Sequence, residues 1–241
     1  MTGTTPSPTT RVLDQHARLS LGSSHEAIYR LVATALATRD ISGHRLIDIG
    51  CGGGALRRFV QGRFREYVGV DGVRYDDFPA DAQFHQVDLD SDGPLPASVA
   101  GADVVTAVET IEHLENPRAL VRRLVRLAKP GGWILLTTPN HRSILSLVTL
   151  LSKGQFSAFQ DTDYPAHITA LLESDLRRIG GELGLTDAAI EYTGRGRLAL
   201  TAWHYPRALT ALLPRALSDN LLYIARTPVI SRITVQGSAG C

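Results

Sequence analysis

Short apolar runs alternate with amphipathic stretches along the chain, and this alternation predicts strands separated by helices. The predicted strands cover residues 45–49, 66–70, 82–87, 103–108, 133–137, 188–192 and 220–226. Helices are predicted over residues 24–37, 55–62 and 174–183, and another after Asn116, where an N-cap residue precedes Pro117. This order favours an α/β fold, a Rossmann-like doubly wound sheet that is mostly parallel.

The first predicted helix begins after Ser23, which forms a capping box with Glu26 in the first turn. This helix either packs on the sheet or contributes His25 or Tyr29 to the mouth of a pocket. In the helix after Pro117, four arginines are expected on the outer, solvated face: Arg118, Arg122, Arg123 and Arg126.

The alternation is interrupted in two places. Residues 141–170 predict a cap inserted after the fifth strand, with an apolar helix between Ile144 and Leu151, although a dimer contact is the competing interpretation. Residues 194–218 contain Trp203, His204 and Tyr205, a second candidate for lining a pocket. We therefore predict an N-terminal tail over 1–22, one catalytic domain over 23–228 and a C-terminal tail over 229–241.

Composition narrows the class of protein. The chain has 241 residues, a formal net charge of +1 and 44% hydrophobic residues, which is typical of a soluble globular protein. This near-neutrality gives no electrostatic footprint for DNA. Two cysteines, Cys51 and Cys241, cannot form a disulfide framework, so we expect a cytoplasmic protein. The apolar segments are too short for a transmembrane helix.

Candidate chemistry begins at a glycine-rich turn directly after the first strand. The stretch from Leu46 to Gly54 reads LIDIGCGGG, an apolar strand that runs through Asp48 into glycines. Such a turn lets a nucleotide approach the backbone closely. The glycines are spaced G-x-G-x-G rather than G-x-G-x-x-G, and the Gly-Lys-Ser/Thr ending of a P-loop is missing, so neither a dinucleotide nor a P-loop is the first choice.

Carboxylates follow the ends of the next three strands. Asp71 lies 23 residues after Asp48, where it can accept hydrogen bonds from a ribose diol. Asp88 and Glu109 end the third and fourth strands. Because the carboxyl ends of parallel strands meet at one edge of a sheet, these side chains are predicted to share a single site.

In order and spacing, residues 45 to about 140 resemble the class I S-adenosylmethionine-dependent methyltransferases. The motifs are LIDIGCGGG, Val70-Asp71, Val87-Asp88, the ETIEH stretch at 109–113 and KPGG at 129–132. The resemblance implies a seven-stranded sheet whose last strand is antiparallel, with S-adenosylmethionine as cofactor. It implies ten cofactor-binding residues: Asp48, Gly50, Cys51 and Gly52 for the methionine part, Asp71 and Gly72 for the ribose, Asp88 and Leu89 for the adenine, and Val108 and Glu109 beside the sulfonium.

The subfamily clue lies at Glu109, Glu112 and His113, which one helical turn would place on one face. This pattern resembles the ubiquinone-type O-methyltransferases and their secondary-metabolite relatives. It also resembles small-RNA 3′-terminal 2′-O-methyltransferases, in which these positions bind a divalent metal. His113 is therefore a candidate general base, or a metal ligand with the two glutamates, and His167 in the cap is the second candidate base.

We predict O-methylation of a partly hydrophobic small molecule, such as a polyketide, a quinone precursor or a lipid-linked sugar. RNA is the minor alternative, since residues 165–169 lack the aromatic motif expected after the second histidine. Three further functions stay open: N- or C-methylation of a sugar or natural product, nicotinamide-dependent oxidoreduction, and cofactor binding by a subunit without activity. A homodimer is possible on the sequence pattern alone.

Overall fold

The computed structural model describes residues 22–229 except 92–94, 97–98, 200 and 202. The strands are β1 (Gly43–Ile49), β2 (Phe64–Asp71), β3 (Gln83–Gln86), β4 (Ala102–Val108), β5 (Ala128–Pro139), β6 (Thr186–Tyr192) and β7 (Asn220–Arg226). The α-helices are α1 (Glu26–Thr38), α2 (Pro117–Leu127), α3 (Ile144–Lys153), α4 (Glu173–Glu182) and α5 (Arg207–Leu212). Two 3-10 helices, Ala55–Phe59 and Ile111–His113, follow β1 and β4.

All seven strands form one sheet in the order β3-β2-β1-β4-β5-β7-β6. The pairs among β1 to β5 are parallel, whereas β7 runs antiparallel to both β5 and β6. The Rossmann-like sheet with an antiparallel last strand is therefore confirmed. The strand order reverses between β1 and β4, and this is where a doubly wound sheet opens a ligand crevice.

The centre of the sheet is apolar on both faces, as expected for parallel strands covered by helices on each side. Leu46, Ile47 and Ile49 of β1 are completely buried, as are Val104 and Val105 of β4. One cluster of core residues packs under α2 and α4, and the other packs under α1. This rigid centre fixes the positions of the strand ends that carry the candidate site.

The first helix begins later than the capping box predicts. The N-cap is His25, whose Nδ1 accepts the N–H of Ala27, while the N–H of Ser24 donates to the Tyr29 hydroxyl at 2.8 Å. The predicted capping residue Ser23 and the predicted start at Ser24 are therefore wrong, because His25 is the N-cap and its ring takes the position of the capping oxygen.

The prediction that Arg123 lies on the solvated face of its helix is also wrong. Arg123 is buried, and its guanidinium donates to the carbonyls of Leu89, at 3.1 Å, and Ser91. Leu120, three residues before Arg123, and Leu127, four residues after it, lie on the same side of the helix, and both are buried. That spacing placed Arg123 on the buried face, but its charge suggested the opposite.

No helix within the described ranges is long and apolar enough to cross a bilayer.

Candidate active site

A cavity of about 770 Å³ lies at the carboxyl ends of β1, β2 and β4. All ten predicted cofactor-binding residues line it, together with Glu112, His113 and His167. The structure therefore brings the predicted cofactor and catalytic residues into one space. Its walls also include residues 22–25 before α1 and residues 162–164 of the cap.

The glycine turn owes its shape to three positive φ angles. Gly50 has φ +69°, Gly52 φ +50° and Gly54 φ +74°, a region that favours glycine. A Cβ atom on Gly52 would lie 2.0 Å from the carbonyl oxygen of Gly22, so the segment before α1 closes directly over the turn. His25 and Tyr29 line the cavity beside it, as the pocket-mouth interpretation of α1 expects. The turn is thus a backbone cradle held from both sides.

Asp71 supports this cradle from the end of β2. Its Oδ2 accepts the N–H of Gly52 at 2.8 Å, and its Oδ1 lies 3.4 Å from the N–H of Val73. The side chain is buried yet lines the cavity, and burial raises its pKa. A carboxylate so placed retains acceptor capacity for a ligand hydroxyl.

Asp48 is fully engaged within the protein. Its two oxygens accept the hydroxyls of Tyr67 at 2.6 Å and Thr106 at 2.8 Å. Burial raises the pKa of Asp48 to about 6. The charge of this carboxylate is consequently sensitive to whatever cation occupies the cavity.

Glu109 adopts a strained backbone conformation at the end of β4, with φ +48°. Its N–H donates to Thr137 Oγ1 at 2.9 Å, and its Oε2 accepts the Asn220 amide at 2.7 Å. The other oxygen, Oε1, is buried without a hydrogen-bond partner in the described part of the chain. Burial raises the pKa of Glu109 to about 7. A buried carboxylate oxygen without a partner is uncommon in folded proteins and needs a physical explanation, of which a bound ligand is one.

Glu112, three residues after Glu109, also has a buried carboxylate oxygen without a partner among the described residues. The residue is completely buried, its Oε2 accepts Thr138 Oγ1 at 3.3 Å, and its Oε1 is without a partner among the described residues. Its carbonyl oxygen accepts the N–H groups of Ile168 and Thr169 at 2.9 and 3.0 Å, which ties the cap to the site. Burial, and after it the neighbouring Glu109, raises the pKa of Glu112 well above its ordinary value.

His113 and His167 meet in this region although 54 positions separate them. Their ring centroids are 4.8 Å apart. The Nδ1 of His113 lies 2.7 Å from the carbonyl oxygen of Ala166, and the Nδ1 of His167 lies 2.5 Å from that of Ala158. A carbonyl only accepts, so each Nδ1 carries the proton and each Nε2 retains a lone pair. Burial lowers the pKa of His113 to about 4.

Three side chains form a potential metal-binding group: Glu112, His113 and His167 each offer one ligand atom, all within 4.8 Å of one another. The sequence predicted Glu109 as the third member. In the structure Glu109 lies outside this group, with one oxygen bound to Asn220. The histidine supplied by the cap takes its place.

The cavity is strongly acidic. Seven carboxylates line it: Asp48, Asp71, Asp88, Asp90, Glu109, Glu112 and Asp163. Among the described lining residues there is no lysine or arginine. Such a cavity favours a cationic ligand and repels a phosphate-bearing one.

The sequence did not predict which residues hold the loop at the predicted adenine end. The guanidinium of the buried Arg123 donates to the carbonyls of Asp88 and Leu89 in this loop. The N–H of Glu115 donates to Asp90 Oδ1 at 2.8 Å from the start of α2. The helical spacing of Arg123 from Leu120 and Leu127 could have predicted that this side chain is buried.

The prediction that Trp203, His204 and Tyr205 line a pocket is wrong. None of them lies among the cavity residues, and Trp203 is 78% exposed. The N–H of Leu198 donates to the carbonyl of Trp203, and Arg197 and His204 form an isolated antiparallel β-bridge. Residues 197–198 thus pair with residues 203–204, and Trp203 lies at the surface.

This strand order, with an acidic cavity at the switch point, is that of a class I S-adenosylmethionine-dependent methyltransferase. A family model described as "Methyltransferase domain" matches residues 22–190, and the chain belongs to this family. The resemblance predicted from the sequence is confirmed.

The curated relatives of this chain are also named as methyltransferases. The chain is 30% identical over 156 residues to the ubiquinone biosynthesis O-methyltransferase of Chromobacterium violaceum, an alignment that covers 60% of this chain and 66% of that protein. Across the eight relatives compared, the chain spans 44% to 66% of their length.

Solved structures share the fold at low identity. A methyltransferase from Archaeoglobus fulgidus superposes with a TM-score of 0.57 and 21% identity, covering 83% of this chain and 94% of that one. Phosphoethanolamine N-methyltransferase 2 of Haemonchus contortus, solved with S-adenosylmethionine, gives 0.52 at 17% identity, with 81% and 52% covered. At this identity the likeness shows the fold alone.

Proposed function

We propose that this protein transfers a methyl group from S-adenosylmethionine to a hydroxyl of a partly hydrophobic small molecule. One observation carries the proposal: the cavity at the switch point joins the acidic glycine-turn region to the His113–His167 pair. Cofactor and acceptor can therefore lie side by side in one cavity, as group transfer requires.

The acidity of the cavity supports the choice of cofactor. At neutral pH S-adenosylmethionine carries a sulfonium, an ammonium and one carboxylate, and its net positive charge suits a cavity lined by seven acidic residues and by neither lysine nor arginine among the described lining residues. A nicotinamide dinucleotide would bring its anionic pyrophosphate to the same carboxylates. The charge of the cavity thus argues against an oxidoreductase.

The ten predicted residues line one cavity, which supports their proposed roles. Asp71 retains acceptor capacity for ribose hydroxyls, and Asp88 with Leu89 would border the adenine. Val108 and Glu109 border the reacting centre, where the unpartnered Oε1 of Glu109 can receive a hydrogen bond from the ligand. Bound S-adenosylmethionine supplies a methyl group already activated on sulfur. The protein has to orient the acceptor, exclude water and remove one proton.

His113 and His167 line the part of the cavity that we propose binds the acceptor. Each has Nδ1 engaged with a backbone carbonyl, which leaves Nε2 to take a proton or bind a metal. Because burial lowers the pKa of His113 to about 4, this imidazole is neutral at pH 7 but is a weak base. Its neutrality suits a metal ligand better than a lone general base.

A divalent metal would be held by Glu112, His113 and His167, and it would lower the pKa of an acceptor hydroxyl. The unpartnered Oε1 of Glu112 fits this role, since a buried carboxylate oxygen facing no donor is free to bind a cation. His167 is the remaining candidate for the proton acceptor if no metal binds.

The acceptor is inferred from the cap and from the relatives. The cap places Phe156 and Phe159 around the ring of His141, at 4.5 and 5.1 Å between centroids, and Phe159 contacts His167. Phe156 and Phe159 do not line the cavity themselves and bear on the acceptor only through His167, so the hydrophobic acceptor is inferred mainly from the names of the ubiquinone O-methyltransferase relatives. An RNA acceptor would bring phosphates to an acidic cavity, which disfavours that acceptor.

Cofactor binding tests the first half of the proposal. Calorimetric titration with S-adenosylhomocysteine is expected to show one site, and Asp71→Ala is expected to weaken it at least about thirtyfold, since hydrogen bonds to a charged group contribute about 2 kcal/mol. Asp76→Ala, an exposed aspartate outside the cavity, is the matched control. Absence of binding by the unmodified protein would refute the proposal.

Turnover tests the second half. Incubation with labelled cofactor and a metabolite extract, followed by mass spectrometry, is expected to reveal a product heavier by one CH₂ unit whose label survives base treatment, as an ether does. Cofactor binding without transfer to any acceptor would instead favour the inactive subunit. A product labelled on nitrogen or on carbon would show that the acceptor atom is not a hydroxyl oxygen.

A further inference from the structure

The outer surface of the cap helix is apolar. Ile144, Leu147, Val148 and Leu151 of α3 are all exposed, and Leu151 is 88% exposed. Their spacing of i, i+3, i+4 and i+7 places them on one face of the helix. A stripe of four large apolar side chains facing outward is unusual on a protein surface and indicates a binding surface.

A second apolar segment lies next to this stripe. Leu209, Leu212 and Leu213, in and just after α5, are exposed, with Leu212 76% exposed. The N–H of Ile144 donates to the carbonyl of Ala216 at 2.8 Å, so the start of α3 adjoins the end of this segment. We refer to the seven residues of the two segments as the apolar face.

Basic residues predominate in the two chain segments that carry the apolar face, and four of the six have no acidic partner among the ion pairs of the described residues. Residues 140–160 and 193–218 contain six basic residues and neither aspartate nor glutamate. The six are exposed: Arg142, Lys153, Arg195, Arg197, Arg207 and Arg215. Arg197 pairs with Asp219, and Arg215 pairs with Glu173. In a chain whose basic and acidic residues number 25 and 24, this is a pronounced local excess.

We propose that the apolar face docks on the surface of an anionic lipid bilayer without crossing it. Short amphipathic helices with apolar side chains and a basic rim lie in the headgroup region, where anionic lipids attract the cations. The exposed Trp203, in the same basic segment, suits the membrane interface.

The same charges disfavour a second copy of this chain as the partner. In a two-fold symmetric dimer each surface faces its own equivalent, so the basic rim of one copy would meet that of the other. Like charges brought together in this way oppose association. An anionic surface removes the repulsion and covers the apolar side chains at once.

Vesicle binding by the full chain tests the proposal and does not depend on methyl transfer. We expect sedimentation with vesicles of phosphatidylcholine and phosphatidylglycerol, little binding to phosphatidylcholine alone, and release at high salt. The double variant Leu147→Ser/Leu151→Ser and the double variant Arg142→Glu/Arg207→Glu are each expected to lower binding at least about tenfold. Calorimetry with S-adenosylhomocysteine on the same samples shows that each variant is folded.

Two control variants match these changes elsewhere on the surface. Arg122→Glu/Arg126→Glu reverses two exposed charges of α2, and Val229→Ser removes an exposed apolar side chain near β7. Both are expected to leave vesicle binding within twofold. Equal losses in control and test variants, or no binding of the unmodified chain, would overturn the proposal. A dimer that Leu147→Ser/Leu151→Ser converts to monomers, without vesicle binding, would assign the apolar face to self-association instead.

Discussion

The two ends of the cavity are built in different ways. The proposed cofactor end draws its residues from the ends of the consecutive parallel strands β1 to β4 and the turns after them. The acceptor end combines Glu112 and His113 after β4 with His167 from the cap, held together by backbone hydrogen bonds to Glu112. One end is thus set by strand topology, and the other by the docking of an insertion.

This difference predicts that the two ends can be separated by mutation. Changes at the cofactor end should weaken cofactor binding, whereas changes at the acceptor end should lower the rate of transfer and leave cofactor binding intact.

The largest effect is expected at the acceptor end. His113→Ala is expected to lower kcat by about a hundredfold or more, because it removes either a general base or a metal ligand. The affinity for S-adenosylhomocysteine should stay within about threefold, as His113 lies beyond the sulfonium end. A parallel loss of cofactor affinity would show that the two ends are not separable. If EDTA and Glu112→Gln both leave activity unchanged, the metal role is excluded and the base role stands.

A smaller effect is expected behind the cofactor end. Arg123→Ala leaves the carbonyls of residues 88–91 without their donor, and cofactor affinity is expected to fall about tenfold, in line with one or two lost charged hydrogen bonds. Arg122→Ala, one position away on the exposed face of α2, is the matched control. Arg123→Lys should restore part of the affinity. Equal effects at both positions would contradict a positioning role.

The smallest effect concerns stability and its dependence on pH. Burial raises the pKa of Glu112 above the ordinary 4.5, so the folded state keeps a proton that the unfolded chain releases, and stability falls as pH rises above 4.5. Glu112→Gln removes this loss. In the metal-free, cofactor-free protein it is expected to raise Tm by about 3 °C at pH 8, roughly 1 kcal/mol for a chain of this size.

The same substitution should raise Tm less at pH 5 than at pH 8. His113 contributes in the opposite direction: its pKa is lowered from 6.5 to about 4, so its contribution destabilises the fold as pH falls through that range. Scanning calorimetry of Glu112→Gln and His113→Ala across pH 4 to 8 separates the two. A Glu112→Gln gain that is largest at low pH would contradict the raised pKa.

The fold could be predicted in detail where the pattern is strong. The last strand was predicted at Asn220–Arg226 and is observed there, because its apolar run is bounded by polar residues. The start of α1 could not be predicted in this way, since a histidine caps it. Arg123 was misplaced because its charge was weighed above its helical spacing. The domain and tail boundaries and the oligomeric state remain predictions.

By itself the sequence determined the cofactor end. Asp48, the glycine turn, Asp71, Asp88 and Glu109 are each tied to a strand end, and parallel topology brings strand ends to one edge. Only the tertiary structure decided that His167 joins Glu112 and His113, that Glu109 does not, and that residues 203–205 do not line the cavity. Contacts between segments some fifty residues apart arise from the docking of the cap on the sheet, and periodicity along the chain carries no information about them.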